Sequence, residues 1–165
     1  AVGPLGRIHA FDVDRSKLER LQHRASRSQA KVHIYFDGLP MSLSVPRVLI
    51  DAPCSELGAL RRGPDMRWRI SPDSLNQHVS LQIELIEQGL RHLAPGGRLV
   101  YATCTFRREE NEAVVAAALS RRQNLRLVRP SVSTAMFDSN GFFKTFPHRH
   151  GTDGFFAAVL QCEGG

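Results

Sequence analysis

Short apolar runs alternate with helical periodicities along most of this chain, and their order predicts its architecture. The stretch from Arg7 to Asp12 reads as a strand, Lys31 to Phe36 as a second and Pro46 to Asp51 as a third. Further strands are predicted at Arg98–Tyr101, near Leu125–Val128 and at Phe155–Leu160. Between them, Arg15–Arg27 puts Leu18 and Leu21 on one helical face, and Ser74–His92 does the same for Leu81, Leu85, Ile86 and Leu90. Pro95-Gly96-Gly97 is read as the stop of that second helix, and Glu109–Ser120 as a third. Strand and helix in alternation imply an α/β fold with a mostly parallel sheet and helices on both faces. Two runs stand apart because each closes on a cysteine: Val48-Leu49-Ile50-Asp51-Ala52-Pro53-Cys54, and Leu99-Val100-Tyr101-Ala102-Thr103-Cys104. Both would deliver a thiol to the carboxyl edge of one sheet, where open α/β folds bind ligands. The competing reading is that both are small core residues. Ala52–Pro72, rich in Gly, Pro and Arg, is a long loop, and such loops in compact domains are usually functional.

Composition narrows the class. At 165 residues and 42% hydrophobic content, residues 1–165 form about one domain with a real core. No apolar stretch of about eighteen residues occurs and no signal-peptide order opens the chain, which places it in the cytoplasm with no membrane partner. Three widely spaced cysteines make no disulfide framework, and no CxxC or HxxxH pair offers a metal site.

A net charge of +6 and a pI near 9.9 favour a polyanionic partner. Arginines cluster at Arg61-Arg62, at Arg67 and Arg69, at Arg107-Arg108, at Arg121-Arg122 and within His148-Arg149-His150. Trp68, the only tryptophan, sits between Arg67 and Arg69, suited to stacking on an unpaired base or, alternatively, to plugging its loop. Arg62, Arg67, Trp68, Arg107 and Arg149 are expected to give such a partner phosphate anchors and a stacking surface on one face around the thiols. Asp12, Asp37 and Asp51 follow or end three successive predicted strands, so they suit an adenosine-bearing cofactor lying across the strand tips. Turn formation is the alternative for all three, and Asp14 nearby reads as a helix N-cap.

In this setting Asp51-Ala52-Pro53-Cys54-Ser55 and Tyr101-Ala102-Thr103-Cys104-Thr105, followed by Glu109-Glu110-Asn111, resemble the paired cysteine motifs of the Sun (Fmu-like) RNA cytosine-5 methyltransferases. The resemblance extends in order through Arg62, Pro64, Asp65 and Trp68, then Leu81-Gln82, Pro95-Gly96-Gly97 and the closing Gly151-Thr152-Asp153-Gly154-Phe155-Phe156. It covers nearly the whole chain.

The resemblance implies a Rossmann-like class I methyltransferase fold, S-adenosylmethionine as methyl donor and an rRNA or tRNA cytosine as acceptor. It makes Cys104 the nucleophile that adds to carbon 6, Cys54 the residue that assists release, and Asp51 a neighbour of both cofactor and target base. Asp12 matches the ribose-binding acid. Asp37 matches the adenine contact, although Phe36 replaces the usual glycine before it. Glu110 and Asn111 match a pair that braces the nucleophile loop, with helix-start stabilisation as the alternative. Asp153-Gly154-Phe155-Phe156 is expected to shape the pocket floor, and Cys162 has no counterpart. Independently, a helix start after Cys104 and the nearby Arg107 and Arg108 would favour its thiolate.

The family's Gly-rich cofactor loop is absent, and Gly3-Pro4-Leu5-Gly6 cannot replace it because it precedes a strand and opens no helix. The chain is therefore expected to be the carboxyl-terminal part of a catalytic domain, lacking the first strand and helix, and to be marginally folded and silent alone. Three alternatives stay open: a non-catalytic RNA-binding fragment or pseudoenzyme, a cysteine hydrolase, and an amino-group methyltransferase.

Overall fold

A computed structural model describes residues 6–68, 71–131 and 136–163, with Met66 and Arg67 described by backbone alone. Gly3, Pro4, Leu5, Arg69 and the side chain of Arg67 lie outside the described residues. The chain divides into two compact units, Ala1–Leu43 and Ser44–Gly165.

In the first unit, β1 (Ile8–Phe11) and β2 (Val32–Tyr35) pair in parallel, Phe11 opposite Tyr35, with α1 (Arg15–Arg27) between them in sequence. Asp14 caps α1, its carboxylate accepting from the Ser16 amide at 2.9 Å and hydroxyl at 2.7 Å. These bonds, the hydroxyl's foremost, hold the Asp14 carboxyl below the usual range.

The second unit contains a five-stranded sheet whose main path runs β3 (Val45–Asp51), β4 (Leu93–Thr103), β7 (Phe156–Cys162), β5 (Leu125–Leu127), with β6 (Phe143–Lys144) also on β7. Only β3 and β4 pair in parallel there; β7 runs antiparallel to β4, β5 and β6. The sheet is mixed, which corrects the mostly parallel expectation. Its physical reason is local: β6, a turn and a short helix α4 (Pro147–His150) return the chain into β7 without a crossover helix.

Helix α2 (Pro72–Arg91) starts two residues earlier than its apolar face suggests, because Ser71 and Ser74 cap it reciprocally and Pro72 opens it. Pro95-Gly96-Gly97 does not end that helix but lies inside β4. There β4 advances from Leu93 to Arg98 while β3 advances only from Val45 to Arg47, a bulge that Gly96 permits at φ +72°.

Ile86 and Leu90 of α2, and Val114, Val115 and Ala118 of α3 (Glu112–Arg121), share one core with Leu99 and Tyr101 of β4 and Ala158 and Leu160 of β7. Along β4 the core-facing residues Leu99, Tyr101 and Thr103 are buried, whereas Arg98, Val100 and Ala102 between them are half-buried. Within this unit α2 and α3 thus pack against one face. Gly89 lets α2 approach closely, since a Cβ there would stand 2.8 Å from Leu99 Cδ1. Among the described residues no helix is long and apolar enough to cross a membrane, and no group of three or more His, Cys, Asp or Glu is placed to hold a metal.

Candidate active site

β3 and β4 run in register to Asp51 opposite Ala102, and the Ala52 amide still bonds the Ala102 carbonyl at 2.9 Å. Parallel strands ending together bring the segments beyond them side by side. Cys54 and Cys104, fifty residues apart in sequence, therefore meet with their sulfurs 3.4 Å apart, and both are free thiols.

The two sulfurs have opposite electrostatics. The hydrogen bond between the two sulfurs pulls the Cys104 thiol below its ordinary value, against burial and the nearby Glu56 and Asp51 carboxylates. The same hydrogen bond, reinforced by burial, pushes the Cys54 thiol far up. Of the two, Cys104 is the more acidic thiol and Cys54 the one that holds its proton. Arg107 and Arg108 are not the main cause: Arg107 faces Glu109 at 3.7 Å, and α3 begins only at Glu112, eight residues beyond Cys104.

Both cysteine segments hang on one buried carboxylate. Glu110 is fully buried and accepts the Ser55 amide at 2.9 Å, the Ser55 hydroxyl, and Gln82 Nε2 at 3.2 Å. Gln82 Nε2 also donates to the Pro53 carbonyl at 2.8 Å, and Ser55 Oγ meets Thr105 Oγ1 at 2.9 Å. Tyr101, whose phenol burial keeps protonated, donates to the Glu110 carbonyl at 2.7 Å. Asn111 leaves α3 uncapped; its side chain instead accepts from the Thr103 hydroxyl at 2.6 Å and donates to the Thr105 carbonyl at 2.9 Å. Glu110 and Asn111 thus brace the turn around Cys104.

A third segment joins through the backbone. The Gly58 amide donates to the Cys104 carbonyl at 2.9 Å, and the Gly154 amide donates to the Gly58 carbonyl at 2.8 Å. A Cβ on Gly58 would lie 2.0 Å from the Gly154 oxygen, so only glycine fits. Next to this joint the buried Asp153 carboxylate receives Arg62 Nε at 2.7 Å, with an Arg61 terminal nitrogen 3.8 Å away.

Asp51 is exposed at the end of β3, within electrostatic reach of Cys104. Asp12 and Asp37 leave the carboxyl ends of β1 and β2 in the first unit. Asp37 is exposed, whereas Asp12 Oδ1 accepts the Asp14 amide at 2.8 Å and Oδ2 lies 3.5 Å from Lys17 Nζ. Trp68 is 78% exposed and does not plug its loop. Arg149 is exposed on α4, and Arg62, though paired, keeps most of its side chain in solvent. Cys162 ends β7 opposite Leu125. The sequence places Ser55, Thr105 and Gln82 in motifs without giving them a task, and it does not single out Gly58. Glu56, left-handed at φ 55°, was equally silent.

Known proteins resemble this chain in sequence and fold. The chain is 35% identical to ribosomal RNA small subunit methyltransferase B of Enterobacter sp. (strain 638) over 168 residues, 98% of this chain and 38% of that protein. With ribosomal RNA small subunit methyltransferase F of Cronobacter sakazakii it shares 35% over 170 residues, 94% of this chain and 35% of that protein. It therefore spans little more than a third of these curated relatives. Among solved structures it resembles NSun6 from Pyrococcus horikoshii, determined with SFG, at a TM-score of 0.80 and 26% identity, covering 95% of this chain and 41% of that one. A methyltransferase homologue from the same organism matches at a TM-score of 0.77 and 28% identity, covering 95% and 53%. A Rossmann-like methyltransferase fold, two cysteine motifs meeting at one strand edge, and a family-model match over residues 2–161 agree: the chain belongs to the 16S rRNA methyltransferase RsmB/F family.

Proposed function

We propose that this chain carries the catalytic thiols of an RNA cytosine-5 methyltransferase that uses S-adenosylmethionine and acts on a ribosomal RNA. The observation that carries the reading is the 3.4 Å pair of unlike thiols. Carbon 5 of cytosine is a weak nucleophile, and a thiolate adding to carbon 6 makes it a strong one. Cys104 supplies that thiolate, and its bond to carbon 6 moves an electron pair toward carbon 5. Asp51, exposed at the tip of β3, is suited to accept a hydrogen bond from the amino group of the ring.

Bound S-adenosylmethionine supplies an electrophilic methyl group. Within the first unit Asp12 and Asp37 are the residues suited to it, since both follow the carboxyl end of a parallel strand and Asp37 presents an exposed carboxylate.

Cys54 then becomes available in sequence. The largest influence holding its proton is the hydrogen bond to Cys104. Once Cys104 is bonded to carbon 6 that acceptor is spent, and the Cys54 thiol loses its proton more readily. A base is needed at this stage, to take the carbon 5 proton while the carbon 6–sulfur bond breaks and the electron pair returns to Cys104.

Denaturing electrophoresis with labelled RNA tests the assignment. In an otherwise complete enzyme that also carries the Gly-rich cofactor loop, Cys54→Ala accumulates a covalent protein–RNA adduct, and Cys104→Ala forms none. An adduct in Cys104→Ala and none in Cys54→Ala would reverse the two roles.

A further inference from the structure

Beside the thiols, but not lined by them, lies a cavity of about 390 Å³. Its wall begins at Thr105, the residue after Cys104, and continues through Phe106, Arg108, Asn140, Lys144, Phe146 and Phe155. None of Asp12, Asp37, Asp51, Cys54 or Cys104 lines it, so it is neither the thiol site nor the predicted cofactor row.

Its chemistry is specific. Phe106 and Phe155 are 48% and 44% exposed, well above what rings of their size show in a packed interior. Two cations stand at the cavity and differ. Lys144 is committed, with Glu112 at 2.6 Å and Asp138 at 2.8 Å; burial disfavours its charge, yet these two carboxylates outweigh burial and raise its pKa. Arg108 is exposed and makes no ion pair among the described residues. Asn140 adds an exposed amide able both to donate and to accept.

We infer that this cavity receives the base of the nucleotide adjoining the target cytosine, stacked against Phe106 and Phe155, with Arg108 on its phosphate. The inference rests on the RNA methyltransferase reading above. Aromatic faces beside a cation are the usual means of holding an unpaired base. The volume, near the low end for small-ligand sites, suits one nucleoside and not a longer segment. Position supplies the rest: a cytosine bonded to Cys104 has its neighbours tethered by one phosphate each, and Thr105 and Phe106 are the next residues along the same turn. Asn140 offers an edge reader that would make the site discriminate among bases.

The test uses short single-stranded RNAs carrying one cytosine, with 2-aminopurine placed directly 5′, directly 3′, or several nucleotides away. Titration with the intact chain quenches the probe on one adjacent side and leaves the distant probe bright. Phe106→Ala removes the quench and weakens RNA binding by roughly tenfold or more, Phe106→Trp restores both, and Arg108→Ala reduces the salt slope by about one phosphate. Because Phe106 and Arg108 are exposed, melting temperatures of all three variants match the parent. Binding with no quench at either neighbour, or a Phe106→Ala variant that quenches and binds like the parent, overturns the subsite while leaving the methyltransferase reading intact. Absence of RNA binding here together with absence of a Cys104 adduct in a protein that also carries the Gly-rich cofactor loop overturns the reading itself, and the subsite with it.

Discussion

Replacing Glu110 separates its charge from its geometry. Its carboxylate accepts the Ser55 amide, the Ser55 hydroxyl and Gln82 Nε2, and it is fully buried. In Glu110→Ala, Ser55 Oγ keeps Thr105 and Gln82 Nε2 keeps the Pro53 carbonyl, but the buried Ser55 amide loses its acceptor. An orphaned buried donor costs about 1–3 kcal/mol, and each charge-assisted bond lost about 1.5–3 kcal/mol before partners re-form, so the total is roughly 3–5 kcal/mol. In Glu110→Gln the amide oxygen still accepts the Ser55 amide and Gln82, and the new NH₂ donates to Ser55 Oγ, which turns its own proton to Thr105. Only charge assistance is lost, about 1–2 kcal/mol. At about 2–4 °C per kcal/mol for a chain of this size, melting followed by circular dichroism falls by roughly 6–20 °C for alanine and 2–8 °C for glutamine. Iodoacetamide labelling read by peptide mass supplies the second measurement. Glu110→Ala loosens the Ser55 segment and makes Cys54 reactive beside Cys104, whereas Glu110→Gln keeps Cys54 protected. An alanine variant melting with the parent, or equal loss in both variants, would refute the hub.

Three further outcomes are expected. Gly58→Ala sets a Cβ 2.0 Å from the Gly154 oxygen and 2.8 Å from the Cys104 oxygen, so it loses about 3 kcal/mol or more of stability in urea unfolding; an unchanged midpoint contradicts the contact. Alkylation of Cys104 sets in at a lower pH than for an ordinary thiol because its pKa is lowered, and Cys54→Ala, lacking the S–H donor, moves the onset to higher pH; an onset that stays in place removes the hydrogen bond as cause. RNA affinity falls steeply with added salt, and Arg62→Ala, Arg107→Ala and Arg149→Ala each reduce the slope by up to about one phosphate; a flat parent slope argues against phosphate contacts.

The sequence reveals elements where one physical signal dominates. Helix α1 falls at its predicted limits because Asp14 caps it, and β3 ends at the predicted Asp51 because Pro53 follows. Where signals compete, the reading slips. Pro95-Gly96-Gly97 carries a stop signal for a helix and a bulge signal for a strand alike, and only pairing with β3 decides between them. The antiparallel course of β7 is invisible in its own residues, since burial on one face looks the same in either direction. At the site, the thiols are legible because each closes an apolar run. Their difference in acidity is not, because it arises from one sulfur touching another fifty residues away. Ser55 and Thr105 read as ordinary loop residues until Glu110 stands between their segments.

The Gly58 joint bears on how tolerance maps of this chain should be read. Its two bonds, to the Cys104 carbonyl and from the Gly154 amide, run wholly between main-chain atoms. Mutational surveys assign weight to positions by subtracting side chains, and Gly58 has none to subtract. Intolerance there would be filed under loop conformation, and the bonds that fix the carbonyl of Cys104 would receive no score. An amide-to-ester replacement at Gly58, which deletes the N–H and keeps the shape, is the perturbation that makes this contribution visible. The spacing of the loop then registers as an inherited constraint on backbone atoms, shared by segments that need have no side chain in common.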